Sequence, residues 1–323
     1  MMISEHELRE RLLGEDDAVA EATLREHFTP VARMAMGFDW CPQPELRTEG
    51  EPEDDGDTEV DHQRRQQWRQ RMIDLANGAE RRLRRRRFQW RLRRRPQWPI
   101  VVCEGDSWVA HPLIHDLTDR LSDELRHSFN LLSQGAGGDL LAQMEREREM
   151  EAALVEVDAR ALLLSGGGND MLDGFEDLQL DQQAGRDPIE WILEVLEPHM
   201  VSAMASMERV LTGVRRVAPT VPVVVHGYDY LRPGPPGRGR FLAPHFDRLG
   251  IDDHRVRLRS AVALVDRFNV HLGRLVAKHE RVRHVDLRGR VPDDEWRDEI
   301  HPDKRGFSRL GDVVAEVLRE EIG

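Results

Sequence analysis

Three residues that lie far apart in the sequence have the chemistry of a serine nucleophile and its base. Ser107 offers a hydroxyl, and His301 follows Asp298 by three residues in the segment Asp-Glu-Ile-His-Pro. A serine hydroxyl is a poor nucleophile until a base takes its proton, and the base should be a histidine held by a carboxylate. Gly135 and Asn169 lie in two glycine-rich segments that offer backbone N–H groups and an amide as hydrogen-bond donors. The set favours nucleophilic catalysis.

Short apolar runs predict the strands that would position these residues. They are continuously apolar and alternate with amphipathic helices, which is typical of a parallel sheet covered on both faces. The predicted fold class is therefore α/β, a flavodoxin-like three-layer α/β/α sandwich with a five-stranded parallel sheet. The predicted strands are residues 100–103, 129–132, 161–164, 221–225 and 282–287. The predicted helices are residues 112–126, 138–152, one from 187, 253–280 and one after Pro302.

The first three strands end just before Ser107, the segment that begins at Gly135 and the segment that contains Asn169. In open parallel sheets, ligands bind beyond the carboxyl ends of the strands. The sequence therefore predicts a site in the loops at that edge. Pro302 suits the first turn of the final helix, which would bring His301 to the same edge.

In these segments the chain resembles the SGNH hydrolase family, also called the GDSL esterase/lipase family, from about residue 99 to residue 323. The four family blocks stand in the correct order. They match Gly105-Asp106-Ser107, then Gly135 with Gly138-Asp139, then Gly167-x-Asn169-Asp170, and last Asp298-x-x-His301-Pro302.

The resemblance implies an esterase that cleaves a carboxylic ester of a small molecule through an acyl-enzyme. In the family's scheme Ser107 is the nucleophile, His301 the general base and Asp298 the residue that orients it. The oxyanion hole is then formed by the N–H of Ser107, the N–H of Gly135 and the side-chain amide of Asn169. The scheme needs no metal and no organic cofactor. Acyl transfer to a hydroxyl acceptor is an alternative on the same site.

Other motifs have weaker functional interpretations. Residues 135–140 imitate a dinucleotide fingerprint, but Leu140 stands where glycine or alanine is required. His111, His115 and Asp116 have ligand spacing, but no third histidine or other obvious ligand completes a zinc set. Residues 232–250 are rich in glycine and proline and also contain apolar residues. This segment is either a lid over the site or an ordinary surface insertion.

Residues 1–96 differ from the rest and are predicted to form a mostly helical, partly mobile N-terminal extension before a catalytic domain over 97–323. Residues 1–63 carry a net charge of −13, and residues 64–95 carry +12. Short helices are predicted over 5–13 and 16–27, an acidic linker over 42–61 and an arginine-rich helix over 62–95. The arginines either pair with the acidic linker or bind nucleic acid or an acidic partner. In the second case the chain would be a non-catalytic binding protein.

Composition excludes several classes of protein. No apolar run of about 18 residues is present, so no membrane span is predicted. The first residues lack the basic and apolar regions of a secretory signal, and Cys41 and Cys103 cannot form a disulfide framework. We therefore expect a cytoplasmic protein. No feature of the sequence predicts an oligomeric state.

Overall fold

The computed structural model describes residues 2–32, 38–42, 47–48, 59–111, 114–179 and 185–323. The chain divides into two compact units, the first ending at Arg91 and the second running from Leu92 to Gly323. The elements up to residue 94 are β1 (Met2–Ile3), α1 (Glu5–Leu13), α2 (Asp17–His27), β2 (Phe28–Ala32), β3 (Phe38–Pro42), β4 (Arg47–Thr48) and α3 (Glu59–Arg94).

The first unit has a small apolar core of its own. Helices α1 and α2 lie where the sequence predicts them, and each begins at a capping side chain: Ser4 accepts from the N–H of Glu7, and Asp16 from that of Ala18. Strands β2 and β3 form an antiparallel pair that the sequence analysis missed. The core residues come from both short helices and from α3, and they include Leu8, Leu12, Leu24, Met72 and Ala76.

The arginines of α3 pair with acidic residues of helices. Arg86 lies 2.8 Å from the carboxylate of Asp17, and Arg87 pairs with Glu21. These partners belong to α2. Most of the predicted acidic linker, residues 43–46 and 49–58, lies outside the described residues.

Five strands of the second unit form the predicted parallel sheet. They are β5 (Ile100–Glu104), β6 (Asn130–Ser133), β7 (Ala159–Leu164), β8 (Val223–His226) and β9 (Val282–Val285). Their order in the sheet is β6-β5-β7-β8-β9, and every neighbouring pair is parallel. This is the flavodoxin-like order, in which the chain reverses direction across the sheet after its second strand. The crevice at that switch point lies beyond the carboxyl ends of β5 and β7.

Helices cover the sheet as two layers. One layer contains α8 packed against α10, α5, α6 and α7, and the other contains α4 packed against α11. The predicted α/β fold class with flanking helices is confirmed. The helices are α4 (Leu117–Leu121), α5 (Leu141–Glu147), α6 (Glu149–Glu156), α7 (Gly168–Asp173), α8 (Pro188–Val217), α9 (Ala243–Arg248), α10 (His254–Val276) and α11 (Lys304–Ile322). Short 3-10 helices span Gly174–Asp177 and Asp293–Glu295.

Two predicted helices differ from the observed ones. The helix predicted over 112–126 is the shorter α4, because Asp116 caps it by accepting from the N–H of Asp119, and the chain turns after Ser122. The helix predicted over 138–152 is α5 followed by α6, since Arg148 adopts a left-handed conformation with φ of 55°. By contrast, α8 begins as predicted, with Asp187 accepting from the N–H groups of Ile189 and Glu190.

Among the described residues, no helix combines the length and apolar composition that crossing a membrane requires.

Candidate active site

Ser107 lies in the turn that follows β5, at the carboxyl edge of the sheet. The turn approaches the end of β7 so closely that a Cβ on Gly105 would lie 2.3 Å from the carbonyl oxygen of Ser165. Gly105 also has φ of 148°, a conformation that residues with a side chain rarely adopt. Glycine at this position therefore allows the serine turn to sit directly over the switch point.

The structure brings Ser107 and His301 together across 194 residues of sequence. The Oγ of Ser107 lies 2.8 Å from Nε2 of His301, and the Nδ1 of His301 lies 3.0 Å from Oδ1 of Asp298. His301 is completely buried, and Ser107 is 4% exposed. The predicted nucleophile, base and orienting carboxylate thus form one hydrogen-bonded chain.

The Asp298 turn fixes the orientation of the imidazole. Oδ1 of Asp298 accepts the backbone N–H groups of Ile300 and His301 at 3.0 and 2.8 Å. Burial disfavours the Asp298 carboxylate, but hydrogen bonds from His301 and from these N–H groups outweigh it and lower the pKa of Asp298. Because an ionised carboxylate only accepts hydrogen bonds, Nδ1 carries the proton and Nε2 is left to accept from the Ser107 hydroxyl.

Two of the predicted oxyanion donors, Asn169 and Gly135, lie close to the turn that carries Ser107. Asn169 lines the same cleft as Ser107, and its amide is held by donating to the carbonyl oxygen of Asp139 at 3.1 Å. Gly135 packs against the serine turn, where a Cβ would lie 2.4 Å from the carbonyl oxygen of Gly105. Any residue larger than glycine at 135 would push that turn away.

Asp106, to which the sequence analysis assigned no role, is a buried residue that organises the loops around Ser107. Its carboxylate is 2% exposed and accepts from the Oγ of Ser165 at 2.9 Å, the backbone N–H of Trp108 at 3.0 Å and the hydroxyl of Tyr228. The Tyr228 oxygen in turn accepts the N–H of Gly168 at 3.0 Å. These bonds join the loops after β5, β7 and β8. Burial and the nearby Asp106 charge raise the pKa of Tyr228 well above its usual value, so its hydroxyl stays protonated and can donate.

His111 and Asp116, considered above as metal ligands, make other contacts. Nδ1 of His111 accepts the N–H of Ile114 at 3.0 Å, and its ring packs edge-on against His301 with 4.9 Å between centroids. Asp116 caps α4. Within the described ranges, no group of three or more histidine, cysteine or acidic side chains is arranged to hold a metal ion.

A cleft lined in part by Ser107 lies at the carboxyl edge of the sheet. Ser107, Asn169 and Asp106 line it together with residues that are mostly apolar. The other lining residues are Trp108, Gly168, Met171, Leu172, Tyr228, Leu231 and Ile300.

Comparison with protein families decides the family assignment. The model of the GDSL-like lipase/acylhydrolase family matches residues 100–309, which is well over half of the chain. The chain belongs to this family. The family resemblance drawn from the four sequence blocks is confirmed, and the chain is a GDSL-type carboxylic ester hydrolase.

Several solved structures resemble the GDSL-type chain at low sequence identity. A carbohydrate esterase family 3 protein from Talaromyces cellulolyticus is 15% identical, with a TM-score of 0.42 over 69% of this chain and 98% of that one. An extracellular lipase from Streptomyces rimosus is 14% identical, with a TM-score of 0.47 over 68% and 99%. A phospholipase A1 from Streptomyces albidoflavus is 16% identical, with a TM-score of 0.44 over 69% and 99%. No curated protein sequence matches the chain.

Replacing Tyr228 by phenylalanine tests whether its hydroxyl holds the three loops together. The variant leaves the buried Asp106 carboxylate without one donor and the Gly168 N–H without its acceptor. We expect the free energy of unfolding to fall by about 1–3 kcal/mol, measured by urea denaturation. The matched control is Tyr230→Phe, which removes a less buried hydroxyl that donates to Asp266. Equal losses in the two variants would contradict a special role for Tyr228.

The pH dependence of stability tests the environment of Asp170, which follows Asn169. Burial raises the pKa of Asp170 to about 6, although its carboxylate accepts the N–H of Leu141. The native state therefore holds this proton more tightly than the unfolded chain does, and it loses stability as the pH rises from about 4 to about 6.

Asp170→Asn keeps an acceptor for Leu141 and removes the charge. We expect the variant to be more stable than the wild type by about 3 kcal/mol at pH 8, with the difference vanishing below about pH 4. Urea denaturation at both pH values measures this. A constant difference across the range would contradict the raised pKa.

Proposed function

We propose that the protein hydrolyses a carboxylic ester of a small molecule through an acyl-enzyme formed on Ser107. The observation that carries the proposal is the 2.8 Å contact between Oγ of Ser107 and Nε2 of His301, with Asp298 bound to the opposite ring nitrogen. A general base must lie within hydrogen-bond reach of the proton that it takes, and the distance between Nε2 of His301 and the Ser107 hydroxyl meets that requirement.

In the first step Oγ of Ser107 attacks the acyl carbonyl carbon while its proton passes to Nε2 of His301. The carbonyl oxygen becomes an oxyanion, and the negative charge of Asp298 stabilises the imidazolium that has formed. The tetrahedral intermediate collapses by breaking the bond to the alcohol oxygen, which takes the proton from Nε2. Water then repeats the sequence on the acyl-enzyme, releasing the carboxylic acid and restoring the Ser107 hydroxyl.

Three donors would stabilise the oxyanion: the N–H of Ser107, the N–H of Gly135 and the side-chain amide of Asn169. The position of Asn169 in the cleft and the bond that holds its amide against Asp139 support its part. The packing of Gly135 on Gly105 supports the second donor. Each such donor is typically worth roughly 100- to 1000-fold in rate.

Ser107→Ala and Asp298→Asn test the proposal on p-nitrophenyl acetate. The alanine variant lacks the nucleophile and should lose the burst of p-nitrophenol as well as turnover. The asparagine variant removes the charge that stabilises the imidazolium and favours the wrong tautomer, so kcat should fall by roughly 1000- to 10,000-fold.

Asp294→Asn is the matched control, since that carboxylate is 77% exposed and its side chain pairs with Arg305 at the surface. It should keep wild-type kcat. Full turnover in Ser107→Ala would show that another group is the nucleophile and would overturn the proposal.

A further inference from the structure

Residues 232–250, interpreted from the sequence as either a lid or a surface insertion, lie against His301. The ring of Phe241 meets the imidazole of His301 edge-on, with 5.7 Å between centroids and 78° between planes. The ring of His111 also meets the imidazole edge-on, at 4.9 Å. Together with the Asp298 hydrogen bond, these contacts leave His301 fully buried. The position of Phe241 therefore bears directly on the orientation of the base.

One buried carboxylate holds the chain around Phe241. Glu299 is 5% exposed, and both of its oxygens accept backbone N–H groups of the segment 234–243. Oε1 accepts from Gly234 at 2.9 Å and Ala243 at 2.7 Å, and Oε2 accepts from Arg240 at 2.6 Å, Phe241 at 2.6 Å and Leu242 at 3.3 Å. We call these five bonds the Glu299 clasp.

The clasp closes the segment on itself, because its donors come from both ends of the loop. A buried carboxylate is costly unless hydrogen bonds replace its water, and here five backbone donors do so. Moving the segment away would leave the charge and the N–H groups without these partners. The bonds therefore favour one fixed arrangement of the segment.

Gly239 allows the segment to approach Glu299 closely. It has φ of 154°, and a Cβ there would lie 2.5 Å from the carboxyl carbon of Glu299.

A second buried charged residue holds the rest of the segment. Arg257 is completely buried and donates to the carbonyl oxygen of Ile251 and to the carboxylate of Asp247. The segment is thus fastened at two points.

We propose that Glu299 is a positioning residue for the esterase reaction. By clasping the segment 234–243 it keeps Phe241 against the imidazole of His301, so the segment is a permanent wall of the active site and not a lid. Glu299 lies between Asp298 and His301 in sequence, so one short turn supplies the orienting carboxylate, the base and the clasp. The proposal rests on the proposed function in so far as His301 is the base.

Cleavage by trypsin tests the Glu299 clasp independently of esterase activity. Arg238 and Arg240 are exposed cleavage sites inside the clasped segment, and a protease cuts a loop only when it can unfold locally. The wild type should resist cleavage there, while Glu299→Gln, which places an NH₂ group against backbone donors, should be cut at least 10-fold faster. The matched control is Glu320→Gln on α11, an exposed residue, which should behave like the wild type.

A double-mutant cycle in kcat tests whether Glu299 acts through Phe241. Glu299→Gln and Phe241→Ala should each lower kcat roughly 10- to 100-fold with a smaller change in KM, because the base loses its orientation. The double variant should be no slower than the slower single variant, since both remove the same contact. Multiplying losses would overturn the proposal.

A further variant keeps the Glu299 carboxylate, so that the proposal can still be tested if Glu299→Gln fails to fold. Gly239→Ala forces the segment off Glu299 by the clash described above, and it should reproduce both the tryptic cleavage and the loss of kcat. Wild-type cleavage at Arg238 as fast as in the variants would mean that the segment opens freely and would overturn the proposal. If Ser107→Ala kept the turnover of the wild type, the proposed function would be refuted. The trypsin result would still show whether Glu299 holds the segment.

Discussion

The active site depends on burying carboxylates at the edge of a parallel sheet and giving each one enough donors. Asp106 accepts from Ser165, Trp108 and Tyr228, and so joins the loops that follow β5, β7 and β8. Since a buried carboxylate that loses a donor is strongly penalised, these loops are coupled through one group. Ser107 is the next residue, so the position of the proposed nucleophile depends on this network as well as on its own contacts.

The same device recurs around the site. Asp229 is completely buried and accepts from the N–H groups of Gly289, Arg290 and Val291, which ties the loop after β8 to the loop after β9. Glu299 clasps the segment that carries Phe241. For both Asp229 and Glu299, the carboxylate accepts hydrogen bonds from loop N–H groups, which have no strand or helix partners to bind. The outcome is a set of irregular loops held rigidly enough to keep a serine, a histidine and a carboxylate aligned.

The sequence predicts the parts of this site that depend on local pattern. The apolar run around Val102 indicates a buried strand, and the spacing of Asp298 and His301 within one turn is a local signal. Glu299 gave no such signal, because its five partners lie more than 50 residues earlier and are backbone groups that any residue type supplies. The break between α5 and α6 at Arg148 was missed for a related reason, since neither glycine nor proline marks it.

Labelling with a fluorophosphonate measures whether His301 activates the hydroxyl of Ser107. The probe reacts with an activated serine regardless of the natural substrate, and mass spectrometry locates the adduct. If His301 activates the serine, we expect one adduct per chain, on Ser107, that disappears in a folded His301→Ala variant. An adduct on a different residue, or equally fast labelling of Ser107 without the imidazole, would contradict it.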